Sequence, residues 1–251
     1  MYKEILQTTK HREFPTPKLP WVMTQKWEHV LFIHWPVPKK ILREHVPSIL
    51  DIDTYDGKAW IGVLPFEVSD VRIRGLPRIP FYNSLLEVNV RTYVKYNGIS
   101  GTYFFSLDAN KLAIVLGARM LTLPYKNAAI KIKKSSHIEF LCKRRELKID
   151  PAIFQASYKP LTKSYSNAIP GTLAHWLIER YRLWTIKGKT LYQGDIHHKP
   201  WSLSPVTAEI KRHTLINFLS ESTCSSPPVV HYSLAQRALI WPLRKIGSIC
   251  T

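Results

Sequence analysis

The chain has 251 residues, 45% of them hydrophobic and 22% charged, a balance that excludes wholesale disorder and fits a folded protein with a substantial core. Lys and Arg number 36 against 18 Asp and Glu, a formal net charge of +18 that calls for a partner or a surface explanation. No apolar run approaches the ~18 residues of a bilayer-spanning helix, and the polar opening MYKEILQTTKHREFPTPKLP lacks the apolar core of a secretory signal.

Pro15, Pro17 and Pro20 make residues 1–20 read as an N-terminal arm, leaving 21–251 as a single domain. Glu28–Trp35 (EHVLFIHW) is a core strand closed by Pro36-Val37-Pro38, and Lys39–His45 is a short amphipathic helix stopped by Pro47. Asp56-Gly57 signals a turn before a strand at Lys58–Val68, after which Pro65, Pro77 and Pro80 suggest loop. Leu85–Tyr96 and Thr102–Asp108 flank Asn97-Gly98, a strong hairpin signal. Further strands are expected at Leu112–Leu123, Ala128–Ser135 and Glu139–Ile149. Thr172–Ile186 (TLAHWLIERYRLWTI) carries a helical stripe of Leu173, Trp176, Leu177, Arg180, Tyr181 and Trp184. The sum is a mostly β fold with a few helices, expected to close into an antiparallel β-barrel.

Candidate chemistry starts at Glu87-Val88-Asn89-Val90-Arg91-Thr92-Tyr93-Val94. Strand side chains alternate, so Glu87, Asn89, Arg91 and Tyr93 share one face and the valines with Thr92 the other. If the valine face packs outward, a carboxylate, an amide and a guanidinium line a lumen where burial shifts pKa values; the alternative is a wetted polar face. Asp108 ends one strand, and Arg119 interrupts an apolar run, so it needs an acidic partner or a pocket mouth. Glu179 and Arg180 suit a solvated helix face, with Tyr181 buried. His197 and His198 are vicinal and point apart on a strand, so they do not chelate one metal ion. Cys142, Cys224 and Cys250 form no ligand pair and no disulfide framework, which suits a reducing, cytoplasmic setting. Neither a nucleophile elbow nor a phosphate-cradling glycine loop is present. No metal and no cofactor are expected.

Lys131, Lys133, Lys134, Lys143, Arg144, Arg145 and Lys148 cluster against only Glu139 and Glu146. Such a face at 131–148 could bind nucleic acid or another anionic surface, although no aromatic stacking platform accompanies it.

Several segments together resemble the YqjF-like family of uncharacterised bacterial proteins. They run from Trp27–Trp35 with Pro36-Val37-Pro38 and Asp56-Gly57-Lys58-Ala59-Trp60-Ile61-Gly62-Val63, through Glu87–Val94, Tyr103–Asp108, Gly117-Ala118-Arg119 and Leu123-Pro124-Tyr125. Glu179-Arg180-Tyr181, Leu191-Tyr192-Gln193-Gly194, Ile196-His197-His198, Pro200-Trp201 and Leu239-Ile240-Trp241-Pro242 complete the match. That family is similar in fold to acetoacetate decarboxylase, so the resemblance implies a β-barrel with an internal cavity. The decarboxylase acts through a Schiff-base lysine in a Gly-x-Pro-Lys-Lys segment, whose second lysine depresses the pKa of the first. Leu123-Pro124-Tyr125-Lys126 corresponds to that segment, with Tyr125 in the nucleophile's place and Lys126 matching the second lysine. The resemblance also sets Glu87 against the enzyme's active-site glutamate.

The resulting expectation is a cavity that binds, and can transform, a small anionic, oxo-acid-like molecule. Glu87, Tyr125 and Lys126 are the catalytic candidates, and Asn89, Arg91, Asp108, Arg119, Tyr181 and His197 the binding candidates. The alternatives are anionic-surface binding through 131–148 and Schiff-base decarboxylation at Lys126. The sequence is compatible with a homo-oligomer.

Overall fold

A computed structural model of the chain describes residues 1–77, 84–120, 122–146, 152–219 and 226–248. Pro80, Lys148, Cys224 and Cys250 lie outside the described residues. In chain order the elements begin with α1 (Tyr2–Gln7), β1 (Met23–Val37), α2 (Lys39–Arg43), β2 (Asp51–Ile52), β3 (Ala59–Ile73), β4 (Leu85–Tyr96) and β5 (Ile99–Ala109). Next come α3 (Leu112–Met120), β6 (Tyr125–Lys134), β7 (Ile138–Arg144), β8 (Ile153–Pro160), β9 (Ser166–Asn167) and α4 (Leu173–Ile178). The last are β10 (Arg182–Lys187), β11 (Thr190–His197), β12 (Ser202–Leu203), β13 (Val206–His213), β14 (Val229–Ile240) and β15 (Arg244–Ser248).

Seven strands close a ring: β4 pairs β5, followed by β10, β11, β14, β1 and β3, and β3 returns to β4. The ring is not wholly antiparallel as expected, because β5 runs parallel to β10. A second sheet, β6–β7–β8–β13, leaves the ring through a further parallel pairing of β5 with β6. The hairpin between β4 and β5 turns on Asn97-Gly98, with φ of 49° and 76°, the left-handed pair that a two-residue turn requires.

Apolar alternation on the ring strands feeds two layers. Val88, Val90 and Val94 of β4 join Leu31, Ile33, Ile61, Val63, Phe140, Phe154 and Tyr158 in one buried cluster, so the valine face is covered by the second sheet. Val30, Phe32, Leu64, Phe66 and Val68 belong to a separate cluster with Leu177 and Ile178 of α4 and Trp201 just before β12. The opposite face of β4 therefore turns into the ring.

Two irregularities shape that interior. His29 sits at φ 53°, and the β1–β3 register slips between Glu28 and Ile33. This bulge changes the strand's parity, so Gln25 and Trp27 before it and Val30 and Phe32 after it all face the cavity. Pro65 lies within β3, as the expected strand over Lys58–Val68 has it, at a point where the same slip leaves Leu64–Phe66 without a partner on β1. Its missing N–H therefore costs no ladder bond.

Two longer expectations fail for local reasons. Leu112–Leu123 is helical over Leu112–Met120 rather than a strand; its Ala, Leu, Arg and Met content favours helix, and a short apolar run does not declare its period. Thr172–Ile186 is helical only over Leu173–Ile178, capped by the Thr172 side chain. Arg180 Nε donates to the Trp176 carbonyl at 2.7 Å, occupying the acceptor that a continuing helix would give to the Arg180 backbone. The aromatic and β-branched run from Arg182 onward then becomes β10.

Residues 1–20 are anchored to the domain. Ile5 is buried against Leu239 and Trp241, and Tyr2 packs on Trp21 with ring centroids 5.1 Å apart. Among the described residues, no helix is long and apolar enough to cross a membrane.

Candidate functional site

The ring encloses a cavity of about 180 Å³, slightly larger than the ~150 Å³ void that accommodates benzene. Every ring strand contributes to its wall. β4 supplies Glu87, Asn89 and Arg91, and β5 supplies Thr102, Phe104 and Leu107. The parity change on β5 comes from a second bulge, where the register with β4 slips between Val90 and Arg91. Tyr125, Ile178, Arg180, Arg182, His198 and Trp201 also line it.

Glu87 is 5% exposed and accepts a hydrogen bond from the Tyr125 hydroxyl at 2.9 Å. Burial pushes its carboxyl up from 4.5 to about 7; the Tyr125 hydrogen bond opposes this and the Asp108 charge adds to it. Burial and the Glu87 charge in turn push the Tyr125 hydroxyl well above its ordinary value. A carboxyl that is half protonated near neutrality, with a neutral phenol beside it, can both take and return a proton.

Arg91 Nη2 donates to the Leu177 carbonyl at 3.3 Å, while its Nε has no partner among the described residues. Arg180 and Arg182 join it on the wall. Arg180 Nη1 contacts Asp53 Oδ2 at 3.0 Å, and its guanidinium lies 4.3 Å from the Trp176 ring centre. Arg182 Nε contacts Asp195 Oδ1 at 2.9 Å. His198 is buried, and its Nδ1–H donates to the Lys199 carbonyl at 2.6 Å. Burial holds this imidazole neutral, with its pKa lowered to about 3.

Other residues singled out from the sequence lie elsewhere. Lys126 follows Tyr125 on β6 and is not part of the cavity wall; no described residue on that wall is a lysine. A Schiff-base reaction at Lys126 is therefore not served by this geometry. Asp108 faces away from the lumen in a fork with Arg144, at 2.7 Å to Nε and 2.9 Å to Nη2, with Ser106 bonded to both. This pairing also withdraws Arg144 from the expected basic face, where Lys131, Lys133, Lys143 and Arg145 remain exposed. Arg119 reaches no ligand space. Its Nε holds the Tyr125 carbonyl at 2.7 Å, and its Nη2 pairs with Glu146, which accepts the Asn127 N–H at 2.7 Å. Arg119 thus fixes the backbone that aims Tyr125 at Glu87.

Tyr181 and His197 belong to the dock of the N-terminal arm. Tyr181 donates to Glu179 and carries the Arg12 guanidinium 4.7 Å from its ring centre. His197 Nε2–H donates to the Ile5 carbonyl at 2.8 Å, which leaves Nδ1 to accept from Arg12 at 3.2 Å. Both nitrogens are used only if the ring is neutral, and burial lowers its pKa to about 4.

These two histidines make stability acid-sensitive. An unfolded histidine protonates near 6.5, so their contribution is complete above that pH and drains as pH falls toward about 4 and about 3. In thermal melts, wild type is expected to exceed His198→Gln by a wider margin at pH 7.5 than at pH 5. Equal margins would show that the ring titrates in the folded protein as it does in the unfolded chain.

Comparison with known proteins bears on the fold. A model of the DUF2071 family, described as an uncharacterized conserved protein, matches residues 24–237. The chain belongs to this family. It is 46% identical over 227 residues to the uncharacterized protein YqjF of Bacillus subtilis, covering 90% of this chain and 93% of that one. Among solved structures it is similar to the enduracididine biosynthesis enzyme MppR complexed with pyruvate, with a TM-score of 0.62 at 9% identity over 94% of both chains. An acetoacetate decarboxylase-like enzyme from Sphingomonas wittichii matches with a TM-score of 0.61 at 14% identity, over 94% of this chain and 98% of that one. The acetoacetate decarboxylase of Legionella pneumophila gives 0.57 at 14%, over 95% and 94%. The acetoacetate decarboxylase-like fold implied by the sequence motifs is thereby established.

The motifs that carry the resemblance include most of the wall, yet they do not mark Arg180, Arg182 and His198 as cavity-facing. Arg180 was hidden by the helical stripe. A strand beginning near Arg182 would have been the signal, because it sets the arginine beside Asp195 of β11, its register partner.

Proposed function

We propose that the chain binds a short organic carboxylate inside the ring, one with a second oxygen function as oxo acids have, and that Glu87 exchanges a proton with it. The observation that carries this reading is the Glu87–Tyr125 pair, a carboxyl poised near neutral pH on the wall of a cavity that also holds Arg91. A guanidinium offers a carboxylate parallel N–H donors, and the apolar wall from Phe104, Leu107 and Ile178 excludes water and strengthens that attraction. The ionised fraction of Glu87 can accept a proton from carbon next to a carbonyl, and the protonated fraction can return it. The MppR complex with pyruvate supports a short oxo acid as the kind of molecule such a ring holds. The chemistry needs no amine adduct.

Calorimetric titration with short oxo acids at pH 7 tests the binding, and solvent-deuterium incorporation followed by NMR tests the proton transfer. Arg91→Gln is expected to weaken binding about tenfold or more, the usual worth of a charge-assisted contact. Glu87→Gln is expected to retain binding and stop deuterium incorporation. Unchanged affinity in Arg91→Gln, or unchanged exchange in Glu87→Gln, would remove the corresponding half of the reading.

A further inference from the structure

Three polar groups stand in line on one face of β4. Arg91, Asn89 and Glu87 all line the cavity, at successive same-face positions ~7 Å apart. Arg180 is paired with Asp53 and Arg182 with Asp195. Among the guanidiniums of the wall, Arg91 is therefore the one without a carboxylate among the described residues. Asn89 lies between this carboxylate clamp and the carboxyl that exchanges a proton.

The Asn89 amide is turned to donate. The residue is 6% exposed, and its Oδ1 is sealed from water. The part of the amide that opens on the cavity is its nitrogen, whose N–H groups no described residue accepts. Its register partners are Leu64 on β3 and Leu107 on β5, so neither flanking side chain competes for these donors. A donor held in apolar surroundings, with no need to reorient, suits an oxygen that gains negative charge.

Resting on the reading above, we propose that Asn89 donates to the oxo oxygen and that the ligand is a 2-oxo acid, with C3 the carbon that exchanges its proton with Glu87. A 2-oxo acid presents carboxylate, carbonyl and C3 in the order in which the strand presents Arg91, Asn89 and Glu87. In a 3-oxo acid the acidic C2 lies between carboxylate and carbonyl, on the side of Asn89 away from Glu87. In the step, the C3–H bond breaks and the proton passes to ionised Glu87. The bonding pair forms the C2–C3 double bond, and the carbonyl π pair moves onto oxygen. Arg91 offsets the ligand carboxylate throughout, so one negative charge moves from Glu87 to the oxygen at Asn89 and none is added. Return of the proton to C3 reverses the step, and in D2O the exchanged carboxyl returns deuterium.

2-Oxobutyrate and acetoacetate are isomers that differ in the position of the oxo group. The test is deuterium incorporation into each, followed by NMR with the full chain and corrected for the rate without protein. Wild type is expected to accelerate incorporation at C3 of 2-oxobutyrate and to leave C2 of acetoacetate at its protein-free rate. Asn89→Leu is expected to lower the saturated rate on 2-oxobutyrate about 100-fold, the scale of one lost oxyanion donor. Its binding of 2-oxobutyrate, measured calorimetrically, is expected to weaken by about tenfold at most, the scale of one hydrogen bond. If acceleration at C2 of acetoacetate matches or exceeds that at C3 of 2-oxobutyrate, or the saturated rate is unchanged in Asn89→Leu, the assignment is overturned and proton exchange at Glu87 stands. If wild type accelerates neither isomer, the proton-exchange reading falls and this assignment with it. Should Asn89→Leu fail to fold, Asn89→Ala takes its place, and the isomer comparison needs wild type alone.

Discussion

Asp108→Ala is expected to lower the unfolding free energy by about 3–5 kcal/mol, the range for a buried ion pair that loses one partner. Asp108 is fully buried, and the Arg144 side chain is 11% exposed. The two-pronged contact and the Ser106 hydroxyl satisfy the fork from three directions. Removing the carboxylate leaves a guanidinium beneath the second sheet with little water to replace it. For a domain of this size, each kcal/mol moves the melting temperature by ~2–4 °C, so a fall of ~6–20 °C is expected. The double variant Asp108→Leu with Arg144→Met is expected to recover much of the loss, because it removes both charges together. Denaturant unfolding at pH 7 measures all three. A loss below about 1 kcal/mol in Asp108→Ala would mean that Arg144 reaches water when unpaired. Carboxylate binding in the ring is expected to persist in the folded variant, since Asp108 faces away from the cavity.

The same contrast between the faces of the ring decides what could be read in advance. The polar row Glu87, Asn89 and Arg91 was legible because period-two alternation is a local property of the chain, and the covering valines repeat it. The Asn97-Gly98 hairpin was legible because a left-handed pair has few residue choices. Position along the ring was not legible. Asp108 and Tyr125 both bear on Glu87, yet a bulge in β5 puts Asp108 outside and Leu107 inside, and a bulge depends on long-range register. Arg180 was unreadable as a cavity residue because the Leu173–Ile178 helix ends on a side-chain bond from Arg180 itself to Trp176. Propensity does not record that competition. His197 illustrates the converse, since its histidine neighbour faces the cavity while it latches the N-terminal arm, opposite outcomes from adjacent positions.

Glu87→Gln is expected to make the protein more stable above pH 7 while leaving its stability near pH 4.5 almost unchanged. The carboxyl titrates near 4.5 when exposed and near 7 when folded, so between those values the folded chain holds more protons than the unfolded one. Stability linked to this group is therefore complete below 4.5 and is lost as pH rises to about 7. At 1.36 kcal/mol per pH unit the loss is on the order of 3 kcal/mol. Gln keeps the shape and an acceptor for Tyr125 but carries no proton to lose. His197 and His198 act with the opposite sign below pH 6.5, so the wild-type profile alone mixes the effects. The difference between wild type and Glu87→Gln isolates the carboxyl. That difference, from denaturant unfolding at pH 5 and pH 8, is expected to shift toward the variant by about 2–3 kcal/mol. A constant difference would place the carboxylate in water and remove the poised acid on which proton exchange depends. A shift that grows when a bound carboxylic acid is present would follow from a change in the field around Glu87, since a second negative charge raises its pKa further and widens the gap to the unfolded value.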